Sequence, residues 1–315
     1  MDLSGAASTD DDEQEALHID LLTALPTTLR SLNLSHSSIP PRGLDVLPTS
    51  LTALDLSHSD VMPKNLQALG RLTALQRLNL ASTAITVSSL QHIPDGVEDI
   101  DLSHCTKLIF EKGNLSYKFE FNCMTAKWPA ALTTLKLAGV ETSPAALFNL
   151  PPTVTDLDLS GSSFCIPNVD FTRQLPRLKT LLLENCKLNY TDEELWALPE
   201  GLEQLSLKGS SANTRHVRYL PRTLTSLNLA NTLLTNYSSL YERDKVFYFF
   251  NTLHMRLPRL ESLDVRCGYP YGTHKYAQLL REKVPSVLID DAPQQHYQSS
   301  SESVPWVKPP LLRKH

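Results

Sequence analysis

Much of what marks an enzyme, an exported module or a membrane protein is missing from this sequence. Only 11 glycines occur in 315 residues, and none builds a phosphate-binding loop. There is likewise no Cys-x-x-Cys, no His-Glu-x-x-His and no Gly-x-Ser-x-Gly. The usual residues of nucleotide, dithiol, zinc-peptidase and serine-hydrolase chemistry are therefore not visible, and neither catalysis nor a cofactor is expected. Cysteine is sparse and odd in number: Cys105, Cys123, Cys165, Cys186 and Cys267 are scattered without paired spacing, which favours a reducing, cytoplasmic setting. No run is long and apolar enough to cross a bilayer, so no membrane partner is expected. The first fifteen residues hold Asp10, Asp11, Asp12, Glu13 and Glu15 and no arginine, unlike a secretory signal or a mitochondrial presequence. The Asn-x-Ser/Thr triplets at Asn33, Asn114, Asn189 and Asn236 read as chance occurrences in such a chain.

What the chain has in abundance is leucine at fixed intervals. The run Leu25-Pro26-Thr27-Thr28-Leu29-Arg30-Ser31-Leu32-Asn33-Leu34-Ser35 returns almost letter for letter at Leu47-Pro48, Leu51, Leu54, Leu56 and Ser57. With the first leucine of each Leu-x-Leu pair as marker, the series is Leu32, Leu54, Leu78, Ile100, Leu135, Leu157, Leu181, Leu205, Leu227 and Leu263. Its steps are 22 or 24 residues, apart from one of 35 and one of 36. Prolines, high at 21, close the return segments, because proline lacks an amide and disfavours helix at the residue before it.

This phrase resembles the leucine-rich-repeat family over residues 17 to 291, in the Leu-Pro-x-x-Leu-x-x-Leu-x-Leu style of cytosolic proteins. The resemblance implies an α/β solenoid, with a curved parallel sheet on the concave face and short helices or 3₁₀ turns on the convex face. The family often has asparagine five residues after the marker. Here that column reads Ser37, Ser59, Thr83, Cys105, Val140, Ser162, Cys186, Ser210, Thr232 and Gly268. Small hydroxyls are expected to bond the loop amides in its place, and the turns at Val140 and Gly268 are expected to be irregular.

Since each unit touches only its neighbours, the array is one body with capped ends. The expected division is an acidic, disordered tail over 1–15, a solenoid of about ten repeats over 16–291, and a Pro/Ser-rich tail over 292–315. Residues 16–25 read as the leading cap; a helix over 276–283 and a strand over 286–290 read as the trailing one. Thr191-x-x-Glu194 reads as a capping box and Ser143-Pro144 as a helix start. The two long steps mark insertions within 106–128 and 233–256, which hold 11 of the chain's 22 aromatics. Phe247, Phe250, Leu253 and Leu257 follow helical spacing and should fold back onto the array. Tyr248 and Phe249 are left over as interface anchors. In the last segment, Trp306 among prolines resembles a linear docking motif.

Strand alternation turns one set of side chains outward. The middle outward column reads Asn33, Asp55, Asn79, Asp101, Lys136, Asp158, Leu182, Ser206, Asn228 and Asp264. Asp99 and Asp156 stand in the preceding column and Glu184 in the following one. Asp55, Asp99, Asp101, Asp156, Asp158 and Glu184 thus form an acidic stripe suited to a basic peptide or protein face. Ordinary solvated filler is the competing reading. His36, His58 and His104 share a further column, as a metal site, a pH-sensitive edge or incidental histidines; no metal is expected, since His104 stands two strands beyond His58. Charge is uneven, with 10 basic against 19 acidic residues in 1–160 and 19 against 15 in 161–315. Despite Arg215, Arg218 and Arg222 on one convex turn, the acidic inner face disfavours nucleic acid. The expected function is non-enzymatic protein–protein interaction, as an adaptor subunit of a cytosolic, cytoskeletal or ciliary hetero-assembly. The alternative is a receptor recruiting substrates to a ubiquitin ligase or phosphatase acting in trans.

Overall fold

The computed structural model describes residues 1–4, 19–108, 127–140, 149–162, 171–188, 198–212, 217, 220–232, 243–266 and 277–289. Each repeat of the leucine phrase supplies one three-residue strand: β1 (Ser31–Asn33), β2 (Ala53–Asp55), β3 (Arg77–Asn79), β4 (Asp99–Asp101), β5 (Thr134–Lys136), β6 (Asp156–Asp158), β7 (Thr180–Leu182), β8 (Gln204–Ser206), β9 (Ser226–Asn228) and β10 (Ser262–Asp264). An eleventh, β11 (Ser286–Leu288), follows the trailing helix. They form one sheet in strict sequence order, and every neighbouring pair is parallel.

The register follows the leucine markers. Leu32 faces Leu54, Leu54 faces Leu78, and the match continues to Leu263 opposite Val287. It survives both long steps, with Ile100 opposite Leu135 and Leu227 opposite Leu263. Period-two alternation sends the marker leucines to one side, where Leu135, Leu181 and Leu263 lose all solvent contact. The second leucine of each pair, such as Leu56, Leu80 or Leu137, turns inward beyond the strand and is equally buried. One continuous apolar core therefore runs the length of the stack.

The Leu-Pro element has a definite task. In Pro26-x-x-Leu29 the leucine N–H donates to the proline carbonyl at 3.0 Å, and the same bond closes Pro48 to Leu51, Pro94 to Val97 and Pro199 to Leu202. Proline supplies the carbonyl that closes this turn, and the aliphatic residue that ends it, partly buried at Leu29 and buried at Leu51, Val97 and Leu202, lies two residues before the next strand. The return segments are 3₁₀ helices at Gly43–Val46, Pro63–Arg71 and Val87–His92. They become α-helical at α1 (Phe171–Gln174), α2 (Arg243–Arg256) and α3 (Ala277–Lys283).

The trailing cap, α3 followed by β11, agrees with the sequence reading. At the opposite end, Asp2 bridges to Asn33 in parallel, and the Asn33 N–H donates to the Met1 carbonyl at 3.0 Å. Residues 1–3 therefore lie along the edge of β1, whereas a disordered tail was expected; pairing with β1 satisfies amides that would otherwise face water. The helix expected in the second insertion is α2, with Phe250, Leu253 and Leu257 buried as its spacing required. The Thr191 capping box, the Ser143-Pro144 helix start and the 292–315 tail with Trp306 lie outside the described residues, as do 109–126 of the first insertion and the Phe249 side chain.

Candidate functional site: the outer face of the sheet

The outward column at the last position of each strand has a structural duty that the sequence reading did not foresee. Asn33 Oδ1 accepts the Ser35 N–H at 2.9 Å, and Asp55 accepts from Ser57, Asn79 from Ala81, Asp101 from Ser103, Asp158 from Ser160 and Asn228 from Ala230 in the same way. Each is an Asx turn, in which a side-chain oxygen takes a backbone amide two residues on and starts the bend out of the strand. Aspartate and asparagine serve equally here, so the carboxylates in this column are additional to what the turn requires. The recurrence of Asn or Asp directly after the marker was the available signal.

Immediately beyond this bend the chain becomes left-handed. His36, His58, Ser82, His104, Asn185 and Asn231 take φ of 55 to 60°, and Gly139, Gly161 and Gly209 take 66 to 73°. This explains the histidine column: it is the left-handed turn position of each described unit from His36 to Asn231. The rings of His36 and His58 are parallel, with centroids 4.5 Å apart. Among the described residues no group of three or more His, Cys, Asp or Glu side chains is placed to hold a metal ion.

The hydroxyl column that follows corrects an expectation. Ser59, Thr83, Ser210 and Thr232 donate to the carbonyls of Leu56, Leu80, Leu207 and Leu229 at 2.6 to 2.8 Å, and Ser210 is also placed as expected, accepting the Ala212 N–H at 3.4 Å. The amides of Ser59, Ser210 and Thr232 go to the same leucine carbonyls as their hydroxyls. The turn at Val140 is accordingly regular, not distorted: its N–H donates to Leu137 O at 3.1 Å, as Ser162 does to Leu159 O at 3.2 Å. Val140 itself is buried, and its own carbonyl receives the Ser162 hydroxyl at 3.1 Å. Gly268 lies outside the described residues.

The stripe carboxylates assemble in part. Asp99 and Asp101 on β4 and Asp156 and Asp158 on β6 flank β5, and all four are half-buried. Lys136 stands between Asp101 and Asp158 in the strand register and pairs with Asp101 at 3.5 Å. Glu184 accepts the Ser206 hydroxyl at 2.7 Å, and Thr155 donates to Asp156 at 2.7 Å. Asp55 is separated from this group by β3, where it accepts from Asn79 Nδ2 at 3.1 Å. Burial pushes the Asp99 carboxyl up from its ordinary range; Lys136 pulls it down, and the Asp101 and Asp156 charges push it further up. Partial desolvation thus outweighs the two cations nearby, Lys136 and Arg77.

A raised carboxyl binds its proton more tightly folded than unfolded. Asp99 therefore favours the folded state below the ordinary aspartate pKa, and that contribution is lost as pH rises through the raised folded value. At neutral pH its charge works against folding. Asp99→Asn is expected to raise the melting temperature at pH 7, with the gain vanishing towards pH 4; thermal denaturation monitored by circular dichroism across that range checks it.

No family model matches the chain, and a search of curated proteins returns no match. Solved structures do match. An internalin from Listeria monocytogenes aligns over 98% of this chain and 86% of its own, at 15% identity and a TM-score of 0.51. A chain of the octameric complex of latrophilin 3, Unc5D and FLRT2, in which FLRT2 supplies a leucine-rich-repeat domain, aligns over 84% of this chain and 76% of its own, at 16% identity and a TM-score of 0.51. The chain is a leucine-rich-repeat solenoid. It also overlaps the TLR13 chain of a complex with ssRNA13, at 17% identity and a TM-score of 0.48, and spans 40% of that chain's length.

Leucine-rich-repeat stacking also explains the two described cysteines. Cys105 and Cys186 occupy the hydroxyl column, both buried and free, with their sulfurs 3.1 and 3.2 Å from the carbonyls of Leu80 and Leu159. Burial pushes the Cys186 thiol up to about 11. At pH 8 its thiolate fraction falls on the order of a hundredfold below that of an unfolded cysteine. Alkylation followed by peptide mass mapping should leave Cys186 unmodified until denaturant is added; rapid labelling of the native protein would show the position to be open.

The remaining site candidates divide between two surfaces. Tyr248 is 63% exposed on α2, on the return between β9 and β10, away from the acidic residues of the sheet. A shallow cavity of about 470 Å³ lies at the N-terminal rim among Gly70, Gln91, His92, Asp95 and Lys127. Asp95 and Lys127 pair there at 3.3 Å, both well exposed.

Proposed function

We propose that this leucine-rich-repeat protein is a non-enzymatic protein-interaction module that takes a lysine- or arginine-rich partner segment on its concave sheet. The observation that carries the reading is the group Asp99, Asp101, Asp156 and Asp158 on β4 and β6, half-buried around β5, with Asp99 held above its ordinary pKa. An added cation there would relieve unfavourable charge, which is a differential interaction and not merely a solvated surface. The free thiols of Cys105 and Cys186, both used in packing, fit a cytoplasmic location. An adaptor subunit of a cytosolic hetero-assembly, cytoskeletal or ciliary, is the role that best suits a binding face on a rigid stack. The acidic inner face argues against nucleic acid as the partner.

The test is titration with lysine-rich peptides at low and high ionic strength. Asp101→Lys with Asp158→Lys should weaken binding by about tenfold or more, with the difference shrinking as salt rises. Unchanged affinity at low salt would remove the concave carboxylates from the reading.

A further inference from the structure

The helix α2 carries an apolar stripe that the solenoid leaves uncovered. Tyr248 and Met255 are 63% and 60% exposed and stand seven residues apart, hence on one side of the helix. The opposite side, Phe250 and Leu253, is fully buried in the core. A cation flanks the stripe. Lys283 of α3 reaches the Asn251 carbonyl at 3.4 Å and His254 Nδ1 at 3.2 Å, which ties the two helices together. Arg259, exposed, follows α2 three residues beyond its end.

The chain itself contains a segment of complementary charge, the run Asp10, Asp11, Asp12, Glu13 and Glu15. It cannot reach α2 within one molecule. Its two ends are fixed at the first unit, where Leu3 bonds Asn33 and Leu22 is buried in the core. A loop pinned at Ser4 and Ile19 extends at most about 25 Å from them, at about 3.5 Å per residue. Eight strand spacings separate β1 from β9, beside which α2 is seated, and at about 4.8 Å each they amount to about 38 Å.

We infer that the α2 face docks the acidic 10–15 segment of a second copy of this chain, head to tail. The contact joins two different surfaces, so it leaves one of each free and propagates as a chain of molecules, not a closed dimer. Carboxylates meet Arg259 and Lys283, while Tyr248 and Met255 are covered by the incoming segment.

Sedimentation velocity of the full chain over a range of concentrations, at low and high ionic strength, tests this. Association is expected at low salt and should weaken as salt screens it. Two variants separate the halves of the contact: Tyr248→Glu with Met255→Glu on the helix, and Asp10→Asn, Asp11→Asn, Asp12→Asn on the acidic run. Tyr248 and Met255 are exposed, and circular dichroism checks that both variants fold. Each variant alone should stay monomeric, whereas a mixture of the two should form dimers and stop there. A wild-type chain that remains monomeric at low salt overturns the proposal. So does association that persists in either variant, because the contact then lies elsewhere.

Discussion

Leu181→Ala should remove about 2 to 5 kcal/mol of stability, the range for deleting most of a buried leucine from a packed interior. Leu181 is fully buried on β7, with Leu157 and Leu205 as its register partners on either side. The cavity therefore opens between two interfaces at once. In a stack whose units contact only their neighbours, a central defect separates the array into two shorter arrays that unfold independently. Urea denaturation should accordingly show both a lower midpoint and a broadened or split transition. The comparison is Val287→Ala on β11, a half-buried position at the sheet's edge, with a neighbouring strand only at β10. That change should cost about 1 kcal/mol and leave a single transition. Equal losses at the two positions would mean that the solenoid does not distribute its stability through nearest neighbours.

Gly139→Ala should be one of the two most damaging substitutions on the rim, with Gly209→Ala, whose added Cβ would meet Asn185 Oδ1 at 2.1 Å. Two costs coincide there. Gly139 has φ of +69°, a conformation that costs a side-chain-bearing residue on the order of 1 kcal/mol or more. An added Cβ would also lie 2.4 Å from Nδ1 of His104, far inside contact distance. Gly161→Ala separates the two effects, because its φ is +73° but its Cβ would meet nothing nearer than 3.4 Å. The His104→Ala, Gly139→Ala double variant should recover the steric part and retain the conformational part. Chemical denaturation of the four proteins yields both quantities. If Gly139→Ala proves no worse than Gly161→Ala, the histidine does not rest over the glycine as described.

The sequence exposed the large-scale order because the core has one periodic demand, an aliphatic residue at each marker, and that demand recurs at every strand from Leu32 to Leu263. Parallel pairing, register and the terminal α3 and β11 all follow from it. The turns were less legible because one residue type can satisfy several hydrogen-bonding patterns. Ser59 was expected as an acceptor, yet its hydroxyl donates to Leu56 O, the carbonyl that also takes its own amide. Val140 was expected to disturb its turn, but the backbone bond to Leu137 closes it without a hydroxyl. The left-handed column could have been read from Gly139, Gly161, Asn185, Gly209 and Asn231, residue types that tolerate positive φ, recurring four residues after the marker. The stripe was half legible. Alternation placed its carboxylates on one face with Lys136 among them, but only three dimensions show that Lys136 pairs with Asp101 and that the column's oxygens start the bends.

Asp99 pairs with Thr134 across a step of 35 residues as faithfully as Ser31 pairs with Ala53 across 22. The ladder is therefore indifferent to how much polypeptide intervenes between one rung and the next. An epitope, a fluorophore-binding tag or a foreign recognition loop spliced between Leu108 and Lys127 would inherit a fixed mounting without re-threading any strand. The scaffold is in that sense a rack with an adjustable slot, ready for engineering.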